Sequence, residues 1–125
     1  MTAPPLQWSI FAIDLKSAPD RGSAKARPVL VVSRESANVA LPVVTVLPLA
    51  EYRPGRRIYP NEVLVPSEVA GLMGDSIAMA HQTRTVPKRR LTAPVGVIED
   101  PAVRFAVRRA MRIQLNLEQE NGSGV

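Results

Sequence analysis

Two residues of this sequence carry side chains suited to acid–base and phosphate chemistry. Arg27 heads the apolar run Arg-Pro-Val-Leu-Val-Val-Ser, and His81 is the single histidine among 125 residues. A guanidinium is always charged, and its planar fork of N–H groups matches two oxygens of a phosphate. An imidazole with an ordinary pKa changes charge near neutral pH and can therefore accept or donate a proton. Two alternatives stay open: a surface arginine paired with a carboxylate, and a histidine hydrogen-bonded in a purely structural role.

Several further side chains could bind a polyanion. Three arginines flank a Pro-Gly turn in residues 50–57 (AEYRPGRR), and Lys88, Arg89 and Arg90 follow one another in a second turn. Such clusters bind phosphates with salt-dependent affinity, although they could also be solvated loop charges. Hydroxyl groups could add hydrogen bonds from Ser33 and Ser76.

Other kinds of chemistry are not supported. The chain has no cysteine, which excludes disulfides, thiolate metal sites and thiol nucleophiles. One histidine with scattered carboxylates shows no metal-ligand spacing, and it cannot complete a serine triad. Glycine-rich nucleotide-binding loops are also missing. We therefore expect no metal and no cofactor.

Composition and charge limit the class of protein. With 46% hydrophobic residues and a length of 125, the chain can form one domain, residues 1–125, with flexible ends at 1–7 and 118–125. A formal charge of +5 suits a nucleic acid or an acidic protein as partner, or solubility alone. No apolar run reaches the roughly 20 residues that span a bilayer, and the N-terminus is not typical of a signal peptide. These features favour a cytoplasmic protein.

The pattern of apolar residues and turn residues predicts many short strands followed by one helix. Residues 28–33 (PVLVVS) form a continuous apolar run, which is typical of a central strand buried on both faces. We expect the chain between the strands to form loops and turns at residues 16–26, 34–41, 50–57 and 87–91, and a helical turn with a loop at 66–74. The predicted strands are residues 8–15, 28–33, 42–49, 58–65, 75–86 and 94–98.

The C-terminal helix has the clearest local signals. Asp100 is a favourable N-cap, and Pro101 suits the first helical position. An apolar stripe with helical spacing follows and should face the core. Its members are Val103, Ala106, Val107, Ala110, Ile113 and Leu117. Short strands followed by one helix indicate a mostly β fold, a small barrel or curled sheet covered by that helix.

Four stretches, in this order, resemble the MazF/PemK family of bacterial toxins over residues 8–117. A hydrophobic strand ends in Asp14, and Gly22-Ser23 then precedes ARPVLVVS. Asn38 lies in the next connection, before VVTVLPL. The last stretch, DSIAMAHQTRTVPKRRL, resembles a family strand that ends in Gln-x-Arg-Thr and a Lys-x-Arg-Leu segment.

The chain departs from the family pattern at three places. Ala50 stands where members often have a Thr or Ser that takes part in RNA cleavage. His81 stands at a position that is acidic in many members. Ala24 and Lys25 stand where the family loop carries a glutamate.

The resemblance implies an SH3-like barrel with a C-terminal helix and a metal-independent endoribonuclease acting on single-stranded RNA. RNA supplies its own nucleophile, the 2′-hydroxyl, so the protein has to move protons and stabilise charge on the phosphorus. By resemblance the protein is a cytoplasmic homodimer that is neutralised by an acidic antitoxin. The implied catalytic residues are Arg27 and His81, and the implied RNA-binding residues are Ser33, Arg53, Arg56, Arg57, Ser76, Gln82 and Lys88.

A second function from a different class remains open. A member of the same fold could have lost catalysis and act as a binding module, or inhibit a protein target as the related gyrase-poisoning toxins do. The missing hydroxyl at Ala50 favours this alternative, whereas Arg27 and His81 favour the enzyme.

Overall fold

The computed structural model describes residues 3–14 and 27–117. Two predicted segments, the loop at residues 16–26 and the tail at 118–125, lie outside the described residues, as do Gly22, Ser23, Ala24 and Lys25. Short 3₁₀ turns at Ala80–Gln82 and Lys88–Arg90 accompany the regular elements. In chain order those elements are β1 (Ser9–Ile13), β2 (Arg27–Val31), α1 (Glu35–Ala40), β3 (Val43–Glu51), β4 (Glu62–Val65), α2 (Ser67–Ala70), β5 (Ser76–Met79), β6 (Arg84–Pro87), β7 (Leu91–Val97) and α3 (Pro101–Leu115).

The strands form one antiparallel sheet in the order β4-β5-β3-β2-β1-β7, with β6 also paired to β3. Within the described residues, β4 and β7 end the order and do not pair with each other, so the sheet is not closed. The mostly β class and the C-terminal helix are confirmed. The sheet is open, whereas the resemblance implied a barrel.

Strand β3 is the longest strand because it serves two sets of partners. On one edge it pairs with β2, from Val46↔Val31 to Pro48↔Val29. On the other edge it pairs first with β6 and then with β5. The strand thus joins the two halves of the sheet.

The core consists of two apolar clusters on opposite faces of the central strands. Successive side chains of a strand point to opposite faces. Accordingly, Leu30 packs into a cluster with Trp8 beneath α3, while its neighbours Val29 and Val31 pack into the second cluster with Val44. The prediction that residues 28–33 are buried on both faces is confirmed for Val29, Leu30 and Val31, which are at most 4% exposed.

Helix α3 begins as predicted. The Asp100 carboxylate accepts a hydrogen bond from the Ala102 N–H at 2.8 Å, and Pro101 occupies the first turn. Val107 and Ala110 are buried against the core. Leu117 does not belong to this stripe, because the helix ends at Leu115 and Asn116 adopts the left-handed conformation with φ 57°.

Three predicted segments differ from the structure. Residues 34–41, predicted as a polar connection, contain the short helix α1, which holds Asn38 buried. The strand predicted over residues 75–86 is divided by the 3₁₀ turn Ala80–Gln82. The strand predicted over 58–65 is confined to β4, because the preceding residues form a loop around the Glu62 carboxylate.

The lead-in at residues 3–7, predicted to be flexible, is hydrogen-bonded to the rest of the fold. Asn38 Nδ2 donates to the Pro5 carbonyl at 3.0 Å. Gln7 Nε2 donates to the Val32 carbonyl at 2.8 Å. These bonds place residues 3–7 across α1 and the end of β2.

Gly96 of β7 lies against α2, and this close approach generates a stability prediction. A Cβ at Gly96 would lie 2.0 Å from the Ala70 carbonyl oxygen, which is backbone and cannot move aside alone. We expect Gly96→Ala to lower the free energy of unfolding by about 1–3 kcal/mol, measured by urea denaturation.

Gly74→Ala is the matched control, since a Cβ there meets no heavy atom within 4 Å. Its expected effect is within about 0.5 kcal/mol. Equal unfolding midpoints for the two variants would show that β7 and α2 separate without cost.

Candidate anion-binding site

Arg27 opens β2, opposite Ile13 of β1, and its side chain is exposed. It lines a cavity of about 120 Å³ between β2, β3 and the chain that joins β5 to β6. Apolar residues such as Ile13 and Val46 form most of the wall. Arg27 therefore stands at the mouth of a small, largely apolar pocket.

The polar groups of this pocket are two guanidiniums and one carboxamide. They belong to Arg27, Arg84 and Gln82. Over the part of the chain that the structure describes, no carboxylate lines the pocket. Two uncompensated positive charges beside an apolar wall favour an anion, and the forked guanidinium suits phosphate oxygens.

Arg84 was not among the predicted site residues. It lies two residues after Gln82 in the Gln-Thr-Arg-Thr stretch, and both residues line the pocket. The signal for Arg84 was the Gln-x-Arg-Thr pattern itself, in which Arg84 follows Gln82 in the stretch that resembles the family.

The 3₁₀ turn that carries His81 and Gln82 arises from the strand pairing. Val46 of β3 pairs with Arg84, whereas Leu49 pairs with Ala78. The five residues between Ala78 and Arg84 thus lie opposite only two residues of β3, and the excess chain bulges out of the sheet. The bulge is held where Thr83 Oγ1 donates to the Ala80 carbonyl at 2.6 Å.

His81 is exposed and does not line the pocket itself. Its Nε2 lies 3.4 Å from Nε2 of Gln82, which does line it. Of the two predicted catalytic residues, Arg27 thus lines the pocket with Gln82, and His81 contacts Gln82 from outside it.

Ala50 lines the same pocket as Arg27. The residue lies on β3, where it pairs with Ile77 of β5. The position at which the resemblance implies a Thr or Ser is thus part of the pocket, and here it presents only a methyl group.

Ser33 and Lys88 contact Asn38 and do not line the pocket. Ser33 Oγ donates to Asn38 Oδ1 at 2.5 Å and accepts from the Thr45 N–H at 3.0 Å. Lys88 Nζ donates to the Asn38 carbonyl at 2.6 Å. Both side chains make bonds that hold α1 against the sheet.

Ser76 is 7% exposed and lies at the start of β5. It lines a wider groove of about 530 Å³ between the 71–76 segment and strands β1 and β2. Pro28 and Leu49 line both the groove and the Arg27 pocket, so the two cavities adjoin.

The three arginines of the 52–61 loop have different surroundings. Arg53 makes an exposed contact with Glu51 at 3.5 Å, a kind of pair that contributes little. Arg57 lies over the Tyr59 ring at 5.3 Å from its centre. Arg56 forms a two-pronged ion pair with Glu62, at 2.7 and 3.0 Å.

Glu62 is the buried member of that pair, with its side chain 3% exposed. Hydrogen bonds from Arg56 lower the pKa of the Glu62 carboxyl, and they outweigh burial, which acts in the opposite direction. The Tyr59 N–H and the nearby His81 lower it further. The same hydrogen bonds raise the pKa of Arg56.

Within the described ranges, no helix is long and apolar enough to cross a membrane. The same residues contain no group of three or more His, Asp or Glu side chains that could hold a metal ion.

The fold and the pocket together define a small, mostly β protein with a candidate anion site beside β2, β3 and β6. Residues 6–115 match the model of the PemK-like, MazF-like toxin of type II toxin–antitoxin systems. The chain belongs to this family, which confirms the resemblance predicted from the sequence. The class of MazF-like toxin endoribonuclease is confirmed with it.

Individual relatives cover nearly the whole chain. Endoribonuclease MazF9 of Mycobacterium tuberculosis is 30% identical over 113 residues, which are 86% of this chain and 93% of the relative. A mycobacterial endoribonuclease solved in complex with its cognate antitoxin is 26% identical, with a TM-score of 0.73 over 93% of this chain and 99% of the other. The M. tuberculosis toxin MazF-mt6 is 28% identical, with a TM-score of 0.70 over 89% and 99% of the two chains.

The lowered pKa of Glu62 predicts how stability depends on pH. A carboxylate whose folded pKa lies below its unfolded value of about 4.3 stabilises the fold above that value, and this contribution is lost as pH falls through the folded pKa. Glu62→Gln should therefore be less stable than wild type at pH 7, and the difference should narrow on acidification below about pH 4.3. Urea denaturation at both pH values measures it.

Glu51→Gln serves as the matched control, because Glu51 also pairs with an arginine but is 73% exposed. We expect little change in unfolding free energy at either pH. If wild type and Glu62→Gln differ in unfolding free energy by the same amount at both pH values, the charge of Glu62 does not stabilise the fold.

Proposed function

We propose that this toxin cleaves single-stranded RNA without a metal ion, with the scissile phosphate in the pocket lined by Arg27. The observation that supports this most directly is the pair of guanidiniums, Arg27 and Arg84, in a pocket where no described carboxylate offsets them. Two guanidinium groups beside an apolar wall stabilise a dianionic phosphorane more than a singly charged phosphodiester.

The chemistry needs little more than this pocket and a proton relay. The RNA 2′-oxygen loses its proton and attacks the adjacent phosphorus, and the bond to the 5′-oxygen breaks as that oxygen gains a proton. Arg27 and Arg84 stabilise the charge that develops on the non-bridging oxygens. His81, next to Gln82, exchanges protons with the attacking or leaving oxygen.

The wider RNA contacts extend along the basic surfaces. Gln82 lies at the pocket, and Arg53 and Arg57 belong to the exposed part of the 52–61 loop. Arg56, Ser33, Ser76 and Lys88 act on RNA indirectly, since each is engaged within the fold or buried.

The proposed partners are an acidic antitoxin and a second copy of this chain in a single-domain homodimer. The formal charge of +5 suits an acidic partner, and a related endoribonuclease was solved with its cognate antitoxin. Exposed apolar side chains on β7 and α3, such as Val97 and Phe105, offer surface for association. An RNA substrate implies a cytoplasmic location.

The first test is cleavage of a mixed-sequence single-stranded RNA by purified protein in excess EDTA. We expect cleavage by wild type and a loss of at least about 100-fold for Arg27→Ala, because a positioned donor to a developing oxyanion contributes that much. Circular dichroism should show an unchanged fold, since the Arg27 side chain is exposed and makes no hydrogen bond or ion pair with the residues described.

Arg109→Ala removes the same charge from the exposed side of α3 and should cleave like wild type. His81→Ala, in the same assay, should lower kcat by about 100-fold if the imidazole carries the proton. Absence of cleavage by wild type would refute the enzyme proposal. Full activity of Arg27→Ala would show that the scissile phosphate does not bind in this pocket.

The alternative is a non-enzymatic toxin that binds RNA or a protein target. One observation favours it: Ala50 lines the pocket without the hydroxyl that the resemblance implies there. A pocket with guanidiniums but no hydroxyl could hold a phosphate without completing its cleavage.

Ala50→Ser separates the two proposals. If the pocket holds the scissile phosphate, a restored hydroxyl should raise kcat by up to about 100-fold, as one additional hydrogen-bond donor can. If Ala50→Ser cleaves RNA and wild type does not, the natural chain is the non-enzymatic toxin of the alternative proposal. Equal rates would mean that this position does not contact the reacting atoms.

A further inference from the structure

Glu62 is a buried carboxylate that the proposed chemistry does not use. Its two oxygens accept from both terminal nitrogens of Arg56 and from the Tyr59 N–H, the last at 3.1 Å. The Glu62 N–H in turn donates to the Tyr59 carbonyl at 2.8 Å. A buried ion pair adds little stability compared with apolar packing, so its effect has to be sought in what it holds in place.

The pair holds the basic loop at residues 52–61. The loop turns at Pro54-Gly55, where Gly55 has φ +91° and the Arg56 N–H donates to the Arg53 carbonyl at 3.0 Å. From there the Glu62 carboxylate binds the chain at Arg56 and again at Tyr59. Between these two points Arg57 is exposed and lies against the Tyr59 ring.

The same residue connects the loop to the turn that carries His81. Glu62 begins β4 and pairs with Met79, the residue before the 3₁₀ turn. Its neighbour Asn61 accepts from the Ala80 N–H at 3.1 Å. The Glu62 charge also interacts with His81. The loop and the turn therefore share one anchor.

We infer that Glu62 is a positioning residue for RNA: it holds the basic loop next to the turn that carries His81, and Arg56 serves this anchor and does not itself contact RNA. This inference rests on the proposed RNA substrate and deepens it. A loop held in place before binding loses less conformational freedom when RNA binds, which increases affinity.

The test uses Glu62→Gln, which keeps the size of the side chain and removes its charge. The probe is a 2′-O-methyl RNA oligonucleotide of mixed sequence, which has no free 2′-hydroxyl and cannot be cleaved. We expect its Kd to rise about tenfold. The slope of log Kd against log salt should become shallower by about one for each phosphate contact that the loop loses. With cleavable RNA, KM should rise while kcat stays within about twofold.

Glu51→Gln is the charge-matched control, since both variants remove one negative charge near the same loop. Simple electrostatics predicts that both bind RNA more tightly. Positioning by Glu62 predicts weaker binding for Glu62→Gln alone. If Arg56 itself contacts RNA, Glu62→Gln should bind RNA more tightly, because this substitution would release the Arg56 guanidinium from its ion pair.

Limited trypsin digestion reports on the loop without RNA. Cleavage between Arg57 and Ile58, identified by fragment mass, should be faster in Glu62→Gln than in wild type and in Glu51→Gln. If Glu62→Gln does not fold, Arg56→Lys replaces it, since a lysine keeps the charge but cannot form the two-pronged pair. The same increases in Kd and digestion rate are expected.

An unchanged or lower Kd for Glu62→Gln, or for Arg56→Lys in its place, would overturn the inference, as would unchanged digestion. Wild type that binds the oligonucleotide but cleaves no RNA would refute the enzyme proposal alone, and the Kd comparison would still decide the role of Glu62. Wild type that binds no RNA would overturn both.

Discussion

The structure depends on the hydrogen bonding of β3. This strand satisfies one edge with β2 and the other edge with two separate strands, β6 and β5. Unpaired backbone groups are costly when buried, which favours strand partners on both edges of β3. The excess residues between β5 and β6 cannot pair with β3, and they form the bulge that carries His81 and Gln82. A requirement of the sheet thus generates the part of the molecule that faces the pocket.

The position of Arg27 follows from the same pairing. Because β2 pairs with β3 beside the bulge, the first residue of β2 comes to the pocket from the opposite side to Gln82 and Arg84. Strands buried on both faces are rigid, since Val29 and Leu30 are packed into different apolar clusters. An arginine at the end of such a strand has a fixed backbone, and this reduces the freedom lost when it binds an anion.

Local signals predicted the central strand and the C-terminal helix well, because each depends on residues close together in sequence. The apolar run at residues 28–33 and the Asp100-Pro101 start are of this kind. The bulge at Ala80–Gln82 was missed, since it results from the registers of two distant strand pairs and residues 75–86 contain no Gly or Pro to indicate a break. Helix α1 was missed for a related reason, because contacts of Asn38 with Pro5 and Lys88 hold it.

Residue type alone did not separate polyanion-binding groups from structural ones. Arg53, Arg56 and Arg57 look alike in the sequence, yet only Arg56 meets a buried carboxylate six residues further on, and that pairing depends on how the loop folds. Ser33 is similar, since its hydroxyl is committed to Asn38 and Thr45. Arg27 and Gln82, both implied as site residues by the family resemblance, line one pocket, and Arg84 lines it with them.

The chemical consequence lies in how charge and protons are divided within the site. The pocket holds positive charge in Arg27 and Arg84, which do not give up protons at neutral pH, and Ala50 contributes no exchangeable proton. Among the described residues, a group that moves a proton in the proposed cleavage has to lie outside the pocket lining, and His81 on the bulge contacts Gln82. The proposed mechanism thus places charge stabilisation on β2 and β6 and proton transfer on the bulge. Glu62 pairs with Met79 beside that bulge and takes neither role, since its carboxylate is committed to Arg56 and Tyr59.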